Sequence, residues 1–179
     1  DLRLRAIIKG LIALGIEKGD PVAILLPNSS MCMLLQFGCA LAGNPAVMFN
    51  TAYGSSELEF LLPYSDSVVL FTSASFQESL SGMVQQFDTL QEVINIEDID
   101  EWLARSAGID DKLVDQRIES VEEEDTAFML FTSGTTGMPK AAMITQRNMA
   151  SNLFDCVPVF GMKQEDRYFM PVPLFHAFA

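Results

Sequence analysis

The chain has 179 residues, 49% of them apolar and 20% charged, a balance that suits one domain or one and a half with a real core and excludes a disordered chain. Twenty-four acidic residues against eleven Lys and Arg leave a formal charge of −13, which argues against non-specific binding to nucleic acid or to an anionic membrane surface. Cys32, Cys39 and Cys156 show no metal-ligand spacing and leave an odd count, so a reducing compartment is the simpler inference. No signal peptide is evident and no apolar run is long enough to span a bilayer, although a helical pattern is already under way at the first residues and would hide a preceding targeting segment. In chain order, Leu4, Ile7, Ile8, Leu11 and Ile12 recur at i, i+3, i+4 and predict an amphipathic helix with Arg3, Arg5 and Lys9 on its wet side, stopped by Gly15.

After the turn GIEKGD, the continuous apolar run 22–26 reads as a strand covered on both faces, ended by Pro27 and Asn28. Ser29 or Ser30 can cap a helix that runs to about Ala42 and is closed by Gly43, and 45–49 is a second buried strand, completing a β-α-β unit. Cys32 and Cys39, on one face of that helix, read as small core residues. The pattern then repeats. Ser56 with Glu59 predicts a capping box for a helix to about Leu62, where Pro63 intervenes, and 68–71 is a third buried strand. Ser75 with Glu78 predicts the same box for a helix reaching Phe87, with a short strand at 93–96. Alternation of this kind predicts an α/β fold, a mostly parallel sheet with helices on both faces and ligand loops at the carboxyl ends of the strands. From 98 to 124 the chain is strongly acidic, with a helix around Trp102 followed by IESVEEED, and reads as a solvated connecting stretch, about 98–125.

The strand 127–131 delivers the segment FTSGTTGMPK, residues 131–140. Its chemistry is that of a polyanion cradle. Gly134 and Gly137 let backbone N–H groups approach a phosphate, while Thr132, Ser133, Thr135 and Thr136 add hydroxyl donors. Lys140 adds a point charge and Pro139 stiffens the exit by fixing one φ angle. A P-loop ATPase is excluded, because that motif needs Gly-Lys-Ser/Thr opening a helix, whereas Pro139 precedes Lys140, Ala141 follows it and 141–144 reads as a strand. The loop therefore joins two strands. A ligand-free Ser/Thr/Gly-rich hairpin is the competing reading. Residues 146–160 read as a helix with Met149, Leu153, Cys156, Val157 and Phe160 on one side and Pro158 bending or ending it. A turn at 161–166 leads to a strand at 167–171 and to PVPLFHAFA, where His176, the only histidine, lies between Phe175 and Phe178, the ordinary setting of a packed core histidine.

TSGTTGMPK resembles, throughout, the phosphate loop of the adenylate-forming (AMP-binding) superfamily, which holds acyl-CoA synthetases, aryl-CoA ligases, luciferases and peptide-synthetase adenylation domains. LIALGIEKGDPVAILLPNS and ALAGNPAVMFNTAYGSSELEFLL resemble that family's N-terminal region more loosely, and in the right order; PVPLFHAFA looks most like the acyl-pocket segment of fatty-acid-CoA ligases. Ala141 stands where the family usually has glycine and Gln146 where it often has histidine.

The resemblance implies that 1–179 is part of an adenylate-forming enzyme's N-terminal domain, with the C-terminal domain absent. It implies an ATP-dependent acid-thiol ligase that activates a carboxylic acid, fatty or aryl, as acyl-AMP and transfers it to coenzyme A. By that resemblance Thr132, Ser133, Gly134, Thr135, Thr136, Gly137 and Lys140 hold the ATP phosphates and His176 serves the acyl and carboxylate side. Mg2+ is implied as well; its ligands have no counterpart in the sequence and are unknown. Amino-acid-adenylating relatives usually carry an aspartate after the phenylalanine of that last segment, so His176 favours an uncharged acyl or aryl tail. The expected partners are the small-molecule acid, ATP and CoA, without nucleic acid, in the cytoplasm. The isolated chain is expected to be inactive or nearly so and to self-associate through exposed core. The competing function is a non-catalytic nucleotide-binding or scaffold module on the same fold.

Overall fold

The computed structural model describes residues 2–132, 139–167, 169 and 171–176, and within them the apolar runs form strands and the 3.6-period runs form helices. The elements are α1 (Leu2–Ala13), β1 (Val22–Ile24), α2 (Ser30–Leu41), β2 (Ala46–Met48), α3 (Ser55–Tyr64), β3 (Val69–Thr72), α4 (Gln77–Leu80) and β4 (Glu92–Asn95). They continue with α5 (Ile99–Arg105), α6 (Asp111–Glu119), β5 (Thr126–Thr132), β6 (Lys140–Thr145) and α7 (Gln146–Val159). One sheet of six strands runs in the order β4-β3-β1-β2-β5-β6, all pairs parallel except β5 with β6.

Alternate side chains of each strand feed two separate cores. Val22, Ile24, Val69 and Phe71 pack with Ile7, Leu35, Trp102 and Val114, which puts α1, α2, α5 and α6 on one face. Ala23, Leu25 and Leu70 pack with Leu58, Leu61 and Leu80, which puts α3 and α4 on the other. The expected parallel sheet with helices on both faces is thus present. α2 carries the chain from β1 to its neighbour β2, whereas α3 carries it back across β1 to β3 on the opposite face. The loops leaving β1 and β2 therefore turn to opposite sides, the topology at whose carboxyl edge open α/β sheets receive ligands.

Local chemistry explains most boundaries. The Ser29 hydroxyl accepts the Cys32 N–H at 3.0 Å and starts α2, and Gly43, at φ 70°, ends that segment in a left-handed turn. Cys32 and Cys39 are fully buried, as expected of small core residues. Thr145 and Asn148 exchange side-chain-to-backbone bonds of 3.2 and 3.1 Å and start α7.

Several expectations are corrected. No capping box forms at α3, because its N-cap is Gly54, which has no side chain; Glu57, not Glu59, supplies the one capping bond, its carboxylate accepting the Gly54 N–H at 3.0 Å, since the preceding turn, closed from Tyr53 N–H to Asn50 O, lets the helix begin at Ser55. Pro63 lies inside α3, in its last turn, where it removes one backbone donor and the helix still reaches Tyr64. No single helix spans 75–87. Ser75 pairs with the Ser73 hydroxyl at 2.7 Å instead of capping, and Gly82 at φ 73° breaks the run into α4 and two short 3-10 turns. The acidic stretch is not a linker: Trp102 and Val114 are buried in the first core, and Asp111 and Asp115 pair with Lys9 and Arg5 of α1. Residues 167, 169 and 171 form no strand: Phe169 is exposed, and Pro171 and Pro173 remove two of the backbone donors a ladder would need. No residue of α7 is fully buried; Met149 packs against the first core while Leu153 and Phe160 face outward.

Candidate functional site

β5 is the strand that positions the loop. It pairs with β2 over Phe128 to Leu130 and with β6 from Thr126 to Thr132, with Ala127, Phe128 and Leu130 buried, so its middle is held by two ladders and its carboxyl end by β6. Phe131 rests between Phe49, at a ring separation of 5.3 Å, and Tyr64, at 6.5 Å. The expected strand-loop-strand arrangement is present: Thr132 and Lys140 are the last cross-strand partners of an antiparallel hairpin, and the Thr132 hydroxyl reaches the Lys140 carbonyl at 3.4 Å. Both residues are exposed at the mouth. Ser133, Gly134, Thr135, Thr136 and Gly137 lie outside the described residues. Among the described residues no carboxylate pairs with Lys140, whereas the other ion pairs engage Arg5, Lys9, Lys18, Arg105 and Arg147. An exposed lysine without a carboxylate partner among the described residues, in a chain of charge −13, offers a cation to an anion at this edge.

His176 does not occupy a packed core. It is exposed, at the exit of a turn closed by its own N–H on the Pro173 carbonyl at 3.0 Å. Leu174, 9% exposed, and the partly buried Phe175 anchor that turn in the first core. Phe178, its other expected flank, lies outside the described residues. The segment is tied to the carboxyl end of β1 by Asn28, whose side-chain amide donates to the Val172 carbonyl at 2.9 Å and accepts the Leu174 N–H at 2.8 Å. β1 and β5 are separated by β2 alone, so their carboxyl ends stand roughly 10 Å apart, two strand spacings. Thr132 and Lys140 are thus directly paired, and His176 belongs near the end of β1, two strands away along the same edge.

The sequence reading missed Asn28 and the part played by Gln146. Gln146 donates its amide to the Ala40 carbonyl at 2.8 Å, tying the start of α7 to the last turn of α2. Both bonds join residues more than 100 positions apart, and the one local signal was an amide residue at a strand end or helix start. Two hollows of about 270 and 240 Å3 lie among α1, α5 and α6, away from this edge. Among the described residues no group of three His, Cys, Asp or Glu could hold a metal ion, so the donors at this edge do not fit Mg2+ by themselves. Also among the described residues, no helix is long and apolar enough to cross a membrane.

The model of the family described as AMP-binding enzyme matches residues 1–179. The chain is 34% identical to the long-chain-fatty-acid–CoA ligase FadD13 of Mycobacterium tuberculosis over 94% of its own length and 33% of that protein's. It is 32% identical to the oxalate–CoA ligase of Arabidopsis thaliana over 98% of its length and 34% of that protein's. Among solved structures, the inhibitor-bound N-terminal domain of FACL13 from Mycobacterium tuberculosis superposes with a TM-score of 0.74 at 30% identity, covering 97% of this chain and 43% of that one. The chain spans about a third of the length of these curated relatives.

Proposed function

The chain belongs to the AMP-binding enzyme family, and from that premise we propose that the protein activates a carboxylic acid with ATP and passes the acyl group to coenzyme A. In the first half, a carboxylate oxygen bonds to the α-phosphorus as the bond to the bridging oxygen breaks, giving acyl-AMP and pyrophosphate. In the second, the coenzyme A sulfur bonds to the acyl carbon, AMP departs, and the thiol proton is released. The observation that carries the reading is the hairpin mouth, where Thr132 and Lys140, the latter without a carboxylate partner among the described residues, flank a Ser/Thr/Gly segment at the carboxyl edge.

Each residue has a part in this reading. Thr132 and Lys140, with Ser133, Gly134, Thr135, Thr136 and Gly137, hold the β- and γ-phosphates, so that charge is met as pyrophosphate leaves. His176, exposed near the end of β1, two strands away, shapes the acid side. It brings no carboxylate to pair an ammonium, which favours a fatty or aryl acid over an α-amino acid. Mg2+ would enter as its complex with ATP and offset charge on the phosphates. The three cysteines are free thiols, which fits a cytoplasmic site of action. Incubating the longest reading frame that contains these residues with MgATP, hydroxylamine and a panel of fatty, aryl and amino acids tests the reading. Hydroxamates of fatty or aryl acids are expected. MgATP binding without any hydroxamate would favour a nucleotide-binding module that has lost the chemistry.

A further inference from the structure

We infer that Asn28 is a positioning residue that sets the register of the segment carrying His176 against the end of β1; this rests on the assignment of His176 to the acid side. The Asn28 amide touches two backbone groups that flank one residue, the carbonyl of Val172 and the N–H of Leu174. Those are the groups that a parallel neighbouring strand would meet around residue 173. Residue 173 is a proline, which has no donor of its own and is poorly tolerated inside a sheet. The side chain thus supplies a strand-like bridge to a segment that forms no strand among the described residues. Sliding the segment by one residue would break both bonds, lift Leu174 out of the first core and turn the next side chain inward.

The bridge leads directly to the turn. Pro173 accepts the His176 N–H at 3.0 Å, so fixing 172 and 174 fixes the start of the turn whose exit presents the imidazole. Asn28 itself is held from the other side, because Ser29 next to it caps α2 and Leu26 before it is buried in the core. It stands where the loops of β1 and β2 diverge to opposite faces, at the carboxyl edge expected to receive ligand. The geometry therefore separates two functions along one edge: the β5–β6 hairpin sets the phosphate side and Asn28 sets the acid side.

The test uses Asn28→Ala, which removes both bonds, and Asn28→Asp, which keeps an acceptor for Leu174 but faces the Val172 carbonyl with an oxygen, in the longest reading frame containing the chain. Two readouts are taken: amide hydrogen exchange of the peptide holding Leu174 and His176, and KM for acid and for ATP in acid-dependent pyrophosphate exchange. Expected for Asn28→Ala is exchange of the Leu174 amide faster by about fivefold and KM for the acid raised by a similar factor, with KM for ATP within about twofold. Asn28→Asp should show the rise in KM for the acid with a smaller change in Leu174 exchange. Unchanged Leu174 exchange in Asn28→Ala overturns the bridge, and KM values for acid and ATP that rise together, or stay put together, overturn its link to the acid side. Absence of acid-dependent exchange in the unsubstituted protein would instead remove the ligase reading, and hydrogen exchange would still decide the bridge.

Discussion

Lys140 and Asn44 show how differently two polar side chains can be used. Lys140 is exposed, with no carboxylate partner among the described residues, so its removal should leave the fold alone and weaken phosphate binding. Lys140→Ala is expected to raise KM for ATP about tenfold with a melting temperature within a degree or two, read by steady-state kinetics and thermal unfolding. Asn44 is fully buried and donates to the carbonyls of Glu17, at 2.6 Å, and Asp20, at 2.9 Å, while accepting from Arg117 at 3.4 Å. Asn44→Ala leaves these carbonyls dry and should cost about 2–3 kcal/mol in denaturant unfolding. Burial pushes the thiols of Cys32 and Cys39 up to about 11 and about 12 from 9.0. The folded state then holds protons that the unfolded chain gives up, so the stability these thiols contribute is intact below pH 9 and falls as pH rises through 9 to 12. A melting temperature that declines over this range, less so in Cys39→Ala, is the expected outcome. The role of Asn44 was not legible in the sequence, because its partner Arg117 is 73 positions away and an asparagine after Gly43 reads equally well as a turn residue.

Helices and strands whose ends are set by neighbours in sequence were legible; those set by distant contacts were not. α2 was read nearly to its ends because Ser29 and Gly43 act within one turn of it. The hairpin of β5 and β6 was legible because an apolar run stands on each side of the Gly-rich loop. α4 failed because Ser75 found Ser73 instead of a helix N–H, and α6 was hidden because its anchors are charges on α1. Close approach of α1 and α2 is another such contact. A Cβ at Gly38 would meet the Ile7 side chain at 2.8 Å, and one at Gly10 would strike the Trp102 ring. Gly38→Ala should therefore destabilise by about 1–3 kcal/mol through overpacking even though alanine favours helix, which denaturant unfolding would read directly.

Among the described residues, two cores cover the faces of the sheet from β4 to β5, while β6 and α7 present exposed apolar side chains. Phe154 is 80% exposed, Phe160 70% and Leu153 57%, and Met143 of β6 is exposed beside them in sequence order. Such a surface favours association, and a chain of 1–179 alone is expected to self-associate in static light scattering, with Leu153→Lys and Phe154→Lys together restoring monomer. The same architecture puts the two proposed ligand elements on one edge, Lys140 at the start of β6 beside the end of β5 and His176 near the end of β1, where on the proposed reading a nucleotide and an acid would meet. Acid-dependent exchange of labelled pyrophosphate into ATP, on the longest reading frame containing this chain and over fatty, aryl and amino acids, measures whether they do. Exchange with fatty or aryl acids that is lost in Lys140→Ala is the predicted result. No exchange with any acid, in a protein that binds MgATP, would contradict it.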